Sequence, residues 1–166
     1  MRSVLKHNQG FTLVELLLYI FVASGILLSI VALVALLIQS RVKNQTISLV
    51  EQQGAQIIRL VAQEINNAKI IISPAVGGSG SVLQFQDISG QAEQVSLVSS
   101  TLFLNKNNKN YFLNPATVQV SNWQVKNLGV SAYDSIKIQF DLNYNNLSGL
   151  NQYSYSQTFY ATANIR

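Results

Sequence analysis

The sequence contains no cysteine and a single histidine, and these shortages remove most of the common catalytic and metal-binding arrangements. Without cysteine, the chain can form neither a disulfide framework nor a thiolate metal site. The histidine, His7, lies in the basic N-terminal segment. The rest of the chain therefore cannot build a Ser-His-Asp triad, a Cys-His pair or a histidine zinc site. We predict no catalytic residues, no metal and no cofactor.

Acidic residues are also scarce, at seven in 166 residues. A glycosidase needs two acids facing one cleft, and a calcium loop needs a run such as D-x-D-x-D; neither pattern occurs. Asp134 and Asp141 are seven residues apart, so on a strand they face opposite sides. Six of the acids are predicted to be solvated at the surface: Glu51, Glu64, Asp87, Glu93, Asp134 and Asp141.

The net charge of +4 is too small and too scattered for a nucleic-acid stripe. Arg2 and Lys6, two of the basic residues, belong to the first ten residues. Lys106 and Lys109 lie in the asparagine-rich stretch "NKNNKNY", which is typical of a solvated loop, with a nucleic-acid contact as the alternative. We expect no nucleic-acid partner.

The longest uncharged stretch runs from Leu16 to Ile38, 23 residues dominated by Leu, Ile, Val and Ala. As a helix it spans roughly 35 Å, enough to cross a hydrocarbon core of about 30 Å. Gly25 and Ser29 are ordinary small residues of a spanning helix, or alternatively allow close approach of a neighbour. Because Arg2 and Lys6 precede the run, we expect the N-terminus in the cytoplasm and the body translocated.

A cleaved secretory signal is the alternative interpretation of this stretch. The residues "VALVALL" offer an A-x-A-like cleavage site in the right place. However, the run is too long for a typical signal core, and the apolar pattern continues as a helix beyond it. We therefore predict that the apolar run is retained.

The residues around the start of the run carry a family resemblance. The stretch "KHNQGFTLVELLLYI" resembles the class III signal of type IV pilins and pseudopilins. In that family a short basic leader ends in glycine, a phenylalanine follows, and a glutamate is the fifth residue of the mature chain. Those residues are here Gly10, Phe11 and Glu15. The resemblance covers roughly residues 1–40, and the ordered combination is specific.

The resemblance implies how the chain is processed and where it works. A prepilin peptidase removes the leader, residues 1–10, by cutting after Gly10, and the new N-terminal Phe11 is N-methylated. Residues 11–38 then form a transmembrane helix that becomes a filament core. The implied partners are the peptidase and N-methyltransferase, other pilin or pseudopilin subunits, an inner-membrane assembly platform and, before assembly, membrane lipid. The implied location is the inner membrane, single-pass with the body outside the cytoplasm, and then a periplasmic or cell-surface filament.

Glu15 is a charged residue directly before the apolar run of this helix. A lone ionised side chain deep in a bilayer costs on the order of 3 kcal/mol on insertion scales. A position near the helix N-terminus and the headgroups lowers that cost. The resemblance implies that a neighbouring subunit's Phe11 amine pairs with Glu15 and sets the register of assembly. The alternatives are the amine of the same chain, one turn away, and a solvated glutamate that caps the first turn.

Residues 39–72 are predicted to continue the helix as an amphipathic segment. No proline interrupts them, and apolar residues recur at helical spacing opposite a polar side. Gly54 costs about 1 kcal/mol relative to alanine, so we expect at most a bend there. Ser73 before Pro74 is the predicted stop. The apolar stripe consists of Ile47, Val50, Ile58, Val61, Ile65 and Ala68.

Residues 73–166 are predicted to form an antiparallel β head. Residues 73–81, "SPAVGGSGS", indicate a flexible connection, since a phosphate loop would end in Gly-Lys-Ser/Thr. The hydrophobic period then becomes two in "SVLQFQ", "EQVSLV", "STLFLN" and "TVQVSNWQV", the last with or without a bulge. The clearest strand is "DSIKIQFDLNY", residues 134–144, and its predicted hairpin partner is "YSYSQTFYATA".

The expected fold class is therefore α+β, in the layout of pilin heads. A long N-terminal helix, with a transmembrane half and an amphipathic half, packs on an antiparallel sheet. The larger aromatic residues of the body are predicted to lie in the core or in strand pairs, with sugar contact as the alternative. These residues are Trp123, Tyr153, Tyr155 and Tyr160.

Three functions remain open at this point. The first is a filament subunit, the second is an uncut, signal-anchored periplasmic or surface domain, and the third is a membrane-tethered hydrolase. The third lacks a catalytic set, so we expect no enzyme. Within the first, "QQGAQIIRLVAQEINNAKII" is similar to larger minor pilins and to the J-type pseudopilin of type II secretion. A major pilin, or a competence pseudopilin for DNA uptake, is the alternative.

The first two functions predict different products when the full-length chain is incubated with a prepilin peptidase. A pilin-like precursor loses ten residues and begins at Phe11, because the peptidase recognises the leader and cuts after Gly10. N-terminal sequencing checks this outcome. A chain that keeps Met1 under conditions that process a known prepilin is an uncut anchor.

Overall fold

A single α-helix, α1, runs from Leu13 to Asn66 in the computed structural model, which describes residues 12–129, 135–147 and 149–165. The chain divides into two compact units, residues 1–41 and residues 42–166, and α1 contributes to both. In the first unit every described residue is exposed. In the second, one face of α1 is buried. Its buried residues are Thr46, Val50, Gly54, Ile57, Val61 and Ile65.

The helix ends at Asn66, earlier than the predicted end at Ile72, and the residues that follow form a strand. Two asparagines, Asn66 and Asn67, end the helical run, and three consecutive isoleucines follow at residues 70–72. β-Branched residues favour a pleated, half-buried surface over a helix. Ile71 pairs with Phe85, and Ala68, which was predicted on the helical stripe, is buried on this strand. The sequence prediction is therefore wrong for residues 67–72.

Nine strands follow α1 in the described part of the chain, and all of their pairings are antiparallel. They form a five-stranded sheet in the order β1-β3-β4-β5-β6 and a four-stranded sheet in the order β2-β7-β8-β9. A short 3₁₀ helix, Asn151–Tyr153, precedes the last strand. The strands are β1 Ala68–Ser73, β2 Ser79–Gly80, β3 Val82–Asp87, β4 Ala92–Val98, β5 Thr101–Lys106, β6 Lys109–Phe112, β7 Val118–Asn127, β8 Ser135–Tyr144 and β9 Ser156–Asn164.

The α+β class is therefore correct, with the helix packed on two antiparallel sheets instead of one. The break lies between β6 and β7, where Pro115 has no N–H to donate to a ladder. Asn114 stabilises the turn, since its Oδ1 accepts from the N–H of Leu102 at 2.7 Å. Its Nδ2 donates to the carbonyl of Val118 at 2.8 Å. These two bonds hold the start of the second sheet beside the first.

The connection at residues 73–81 is ordered by backbone pairing and is not the flexible segment that its glycines predicted. Gly77 and Gly78 exchange hydrogen bonds with Asn127 at 3.0 Å each. Ser79 and Gly80 then pair with the end of β7 as β2. The glycine-rich stretch thus becomes the edge of the four-stranded sheet.

The asparagine-rich stretch is solvent-exposed over residues 107–111, as predicted, and it is a tight hairpin with a two-residue turn. Asn107 and Asn108 connect β5 to β6 with φ angles of 54° and 59°. Two consecutive positive φ values are those of a type I′ turn, whose twist matches antiparallel strands and which asparagine tolerates. The hairpin fixes the position of Lys106 next to the helix.

The strand prediction is confirmed for the second sheet. β8 alternates as expected, with Ile136, Ile138, Phe140 and Leu142 fully buried, and it pairs with β9 as the predicted hairpin partner. β7 carries a bulge, since its register shifts between Ser121 and Gln124. Asp134, the predicted first residue of β8, lies outside the described residues.

Gly54 is a contact point between α1 and the second sheet. A methyl group built on Gly54 would overlap the ring of Phe159, which β9 places against the helix. That ring stacks on Phe140 with centroids 5.4 Å apart, and Phe140 in turn lies 6.1 Å from Trp123. The glycine predicted as a weak point in the helix therefore provides the space into which an aromatic ring packs.

We predict that Gly54→Leu destabilises the head by about 1–3 kcal/mol, because overpacking at the Phe159 ring outweighs the gain of roughly 1 kcal/mol in helix propensity. Unfolding of the full chain in detergent is followed by the fluorescence of Trp123, which is the single tryptophan and is buried. Gly25→Leu is the control, since a Cβ atom built there meets nothing within 4 Å. Equal unfolding midpoints for the two variants would contradict the packing role of Gly54.

Candidate functional sites in the apolar helix and the head

The first turn of α1 places Glu15 in a capping arrangement. Thr12 stands before the helix, and its Oγ1 accepts from the N–H of Glu15 at 3.3 Å. The carbonyl of Thr12 accepts from the N–H of Leu16 at 3.1 Å. Thr12 is therefore the N-cap and Glu15 the third helical residue, which are the positions of a capping box. A carboxylate here also interacts favourably with the helix dipole.

Glu15 is the only charged residue from Thr12 to Ile38. Among the described residues, no cation forms an ion pair with it. The processing residues Gly10 and Phe11, and the leader residues Arg2, Lys6 and His7, lie outside the described part of the chain. Glu15 is thus the one predicted site residue whose surroundings the structure describes.

The helix after Glu15 presents apolar side chains on all sides. Nineteen large hydrophobic residues between Leu13 and Ile38 are 46–79% exposed. At about 1.5–3 kcal/mol for each such side chain, keeping this surface in water would cost on the order of tens of kcal/mol. That cost exceeds the roughly 5–15 kcal/mol by which a typical domain is stable. The segment is a candidate membrane span by length and composition.

The two serine hydroxyls within the apolar helix are satisfied by its own backbone. Ser24 Oγ donates to the carbonyl of Ile20 at 2.6 Å, and Ser29 Oγ donates to the carbonyl of Gly25 at 2.9 Å. Such bonds remove the need for water at these positions, as a lipid environment demands. A shallow groove lies on this side of the helix around Gly25 and Ser29.

A charged cluster of Glu64, Glu93 and Lys106 lies where α1, β4 and β5 meet. It includes an acid, Glu93, that was predicted to be solvated at the surface. Glu93 is 2% exposed, with a fully buried side chain. Lys106 Nζ donates to Glu64 Oε2 at 2.8 Å and lies 3.2 Å from Glu93 Oε1. Neither carboxylate oxygen of Glu93 accepts a hydrogen bond from the described residues. The prediction of a solvated Glu93 is wrong.

The sequence contained a signal for this burial. Glu93, Val95 and Leu97 alternate with Gln94 and Ser96, so the acid shares the apolar face of β4. Burial raises the pKa of Glu93 above its ordinary value, although the neighbouring Lys106 opposes that shift. The hydrogen bond to Glu64 raises the pKa of Lys106.

The other acids of the head have ordinary structural roles. Asp87 accepts from the N–H of Gln91 at 2.9 Å in the β3–β4 turn, which lowers its pKa. Asp141 accepts from Thr158 Oγ1 at 2.6 Å and from Asn122, and these bonds lower its pKa. Within residues 12–129, 135–147 and 149–165, no group of three or more His, Cys, Asp and Glu could hold a metal ion.

The aromatic residues divide between core and surface. Trp123 is buried as predicted, and Tyr153 stacks on Tyr144 with centroids 5.9 Å apart. Tyr160 is 60% exposed, with Lys137 Nζ lying 5.7 Å from its ring centroid. Tyr160 is therefore one of the predicted strand-pair aromatics, since it lies opposite Gln139 in the β8–β9 pairing and packs under a lysine on the outer face of the second sheet.

Comparison with protein-family models, with curated proteins and with solved structures gives no match for this chain.

We predict that Thr12→Ala weakens the first turn of α1 by about 1 kcal/mol, because the N–H of Glu15 loses its acceptor. In the full chain in micelles, amide hydrogen exchange at Glu15 then becomes about fivefold faster. Thr12→Ser keeps the hydroxyl and is the matched control. Equal exchange rates in the two variants would show that the hydroxyl does not cap the helix.

Proposed function

We propose that this protein is a structural subunit of a type IV pilus-like or type II secretion filament. The observation that carries this proposal is a lone carboxylate in the capped first turn of a 54-residue helix, followed by an apolar surface exposed on every side. A leader that ends in Gly10, with Phe11 after it, stands immediately before this turn in the sequence. The work of such a subunit is mechanical, and no enzymatic activity is proposed.

The apolar surface suits two environments in succession. Lipid covers the helix before assembly, and the helices of other subunits cover it in the filament. Both environments are apolar, so the transfer between them requires no exposure of the surface to water. Serine hydroxyls bonded within the helix, at Ser24 and Ser29, are compatible with either environment.

Glu15 provides the directional element that an apolar surface lacks. Dispersion contacts between apolar helices tolerate sliding, whereas an ion pair in a low-dielectric region is favourable at one offset only. After cleavage behind Gly10, the methylated amine of Phe11 is a cation at neutral pH. We propose that the amine of a neighbouring subunit pairs with Glu15. Thr12 contributes by holding the backbone of this turn.

The proposed location is the inner membrane, with one span and the head outside the cytoplasm, followed by a periplasmic or cell-surface filament. The proposed partners are the prepilin peptidase and N-methyltransferase, other pilin or pseudopilin subunits, the assembly platform and membrane lipid. Within this class we propose a minor pilin or a J-type pseudopilin, with a major pilin or a competence pseudopilin as the alternative. An uncut membrane-anchored domain is the competing function.

We predict that Glu15→Leu inserts into the membrane and loses its leader normally, yet enters filaments at a level reduced at least tenfold. The reason is that the neighbouring amine has no partner and the register of the incoming subunit is lost. The measurement is the fraction of the protein recovered with sheared filaments, compared with the fraction in the membrane.

Glu15→Gln tests the charge itself, and Glu51→Gln is its matched control, because both variants remove one exposed carboxylate from the same helix. We expect Glu15→Gln to be depleted from filaments and Glu51→Gln to be incorporated normally. Normal incorporation of Glu15→Leu would remove the register role while leaving filament membership intact. Absence of the wild-type protein from filaments would overturn the proposed function.

A further inference from the structure

The inner face of the five-stranded sheet contains a fully buried carboxylate that shares its cation with a second acid, and the proposed filament role does not use it. Glu93 lies on β4 directly opposite Phe85 of β3, and its side chain is fully buried. Neither of its oxygens accepts a hydrogen bond from the described residues. Buried carboxylates in folded proteins ordinarily accept several hydrogen bonds, so this one requires an explanation.

One lysine serves two acids at this place. Lys106 donates its shorter hydrogen bond, at 2.8 Å, to Glu64 in the last turns of α1, and it forms a longer ion pair of 3.2 Å with Glu93. With both acids ionised, the cluster has two negative charges and one positive charge. Since Glu93 is buried and Glu64 is partly exposed, Glu93 is the acid for which the ionised form is less favourable.

We propose that Glu93 is a proton-binding site of the head, and that its ionisation loosens the tie between the end of α1 and the five-stranded sheet. When Glu93 is protonated, Lys106 has a single carboxylate partner and holds Glu64. When Glu93 is ionised, it competes for the same ammonium group, and the Lys106–Glu64 hydrogen bond weakens. The helix end is therefore attached more firmly in mildly acidic surroundings.

The charged surroundings of Glu93 are few. Glu64 of α1 and Asp87 of β3 disfavour its ionisation, and Lys106 of β5 favours it. β1 contributes the uncharged Ala68 and Ile71 to this side of the core. Lys109 on β6 is opposite Lys106 in register and is exposed. Burial away from water is the largest influence on the pKa of Glu93, and it disfavours the ionised form.

The sign of the pH dependence follows from the direction of this shift. The pKa of Glu93 lies above its ordinary value of 4.5, so the folded head binds more protons than the unfolded chain in the interval above that pH. The stability from this group is fully present below the ordinary value and is lost as the pH rises through the folded pKa. Asp87 and Asp141 act oppositely, because their pKa values are lowered and their contribution is lost only in stronger acid.

The first experiment is a carboxyl ¹³C NMR titration of the four glutamates in the full chain in micelles. We expect the resonance that disappears in Glu93→Gln to titrate above 4.5 in the wild type. In Glu64→Gln, Glu93 becomes the single carboxylate partner of Lys106, so the titration midpoint of Glu93 should fall in that variant. Titration of Glu93 at or below 4.5, or a midpoint unchanged by Glu64→Gln, would overturn the proposal.

The second experiment measures amide hydrogen-exchange protection in the last turn of α1 as the pH is raised through the observed midpoint. We expect protection factors at Ile65 and Asn66 to fall severalfold in the wild type and in Glu51→Gln. They should stay constant in Glu93→Gln, in which no charge develops. Trp123 fluorescence verifies that each variant is folded. Equal pH dependence in the wild type and Glu93→Gln would show that Glu93 does not control the helix end.

Discussion

The apolar surface of α1 between Leu13 and Ile38 is the constraint on which the other features of this chain depend. Its nineteen large exposed side chains cannot remain in water, so an apolar environment must surround them. The segment has the length of a membrane span, its serine hydroxyls bond to the backbone, and Glu15 lies at its first turn. Each of these properties lowers the free-energy cost of placing the helix in an apolar environment.

The same helix has a different role in the second unit. From Thr46 onwards one face is buried, and both sheets contribute side chains to that core. The helix packs against the sheets through complementary apolar surfaces, of which the ring of Phe159 against Gly54 is the clearest example. One ion pair, between Lys106 of β5 and Glu64, adds a charged contact. The helix end is therefore attached by packing along its length and by a proton-sensitive cluster at its last turns.

Much of the fold follows from local rules that act on the sequence. The apolar run, the amphipathic face around Val50, Val61 and Ile65, and the alternation of β8 are strong periodic signals, and the structure agrees with them. The errors arise where tertiary pairing decides between weak local preferences. The segment 68–73 is compatible with a helix by spacing, yet pairing of Ile71 with Phe85 makes it a strand.

The candidate sites show the same division. Glu15 can be predicted because its pattern is local in the sequence: the acid stands at a fixed offset from a glycine and next to an apolar run. The burial of Glu93 depends on partners that are distant in the sequence. Its cation comes from β5 and the competing acid comes from α1. The alternation of Glu93 with Val95 indicates burial, but the scarcity of paired acids led to the prediction that all six acids after Glu15 are solvated. A charged residue that alternates in step with the apolar residues of a strand indicates burial more reliably than the overall composition does.

The exchange of lipid for protein around the apolar helix can be measured directly with a photoreactive leucine analogue at Leu28, which is 68% exposed. In cells without filament-assembly machinery, irradiation should yield adducts with lipid. In cells that assemble filaments, the same position should yield adducts with another filament subunit. Lipid adducts alone in both strains would show that this helix remains a membrane anchor, and would contradict its proposed place in a filament core.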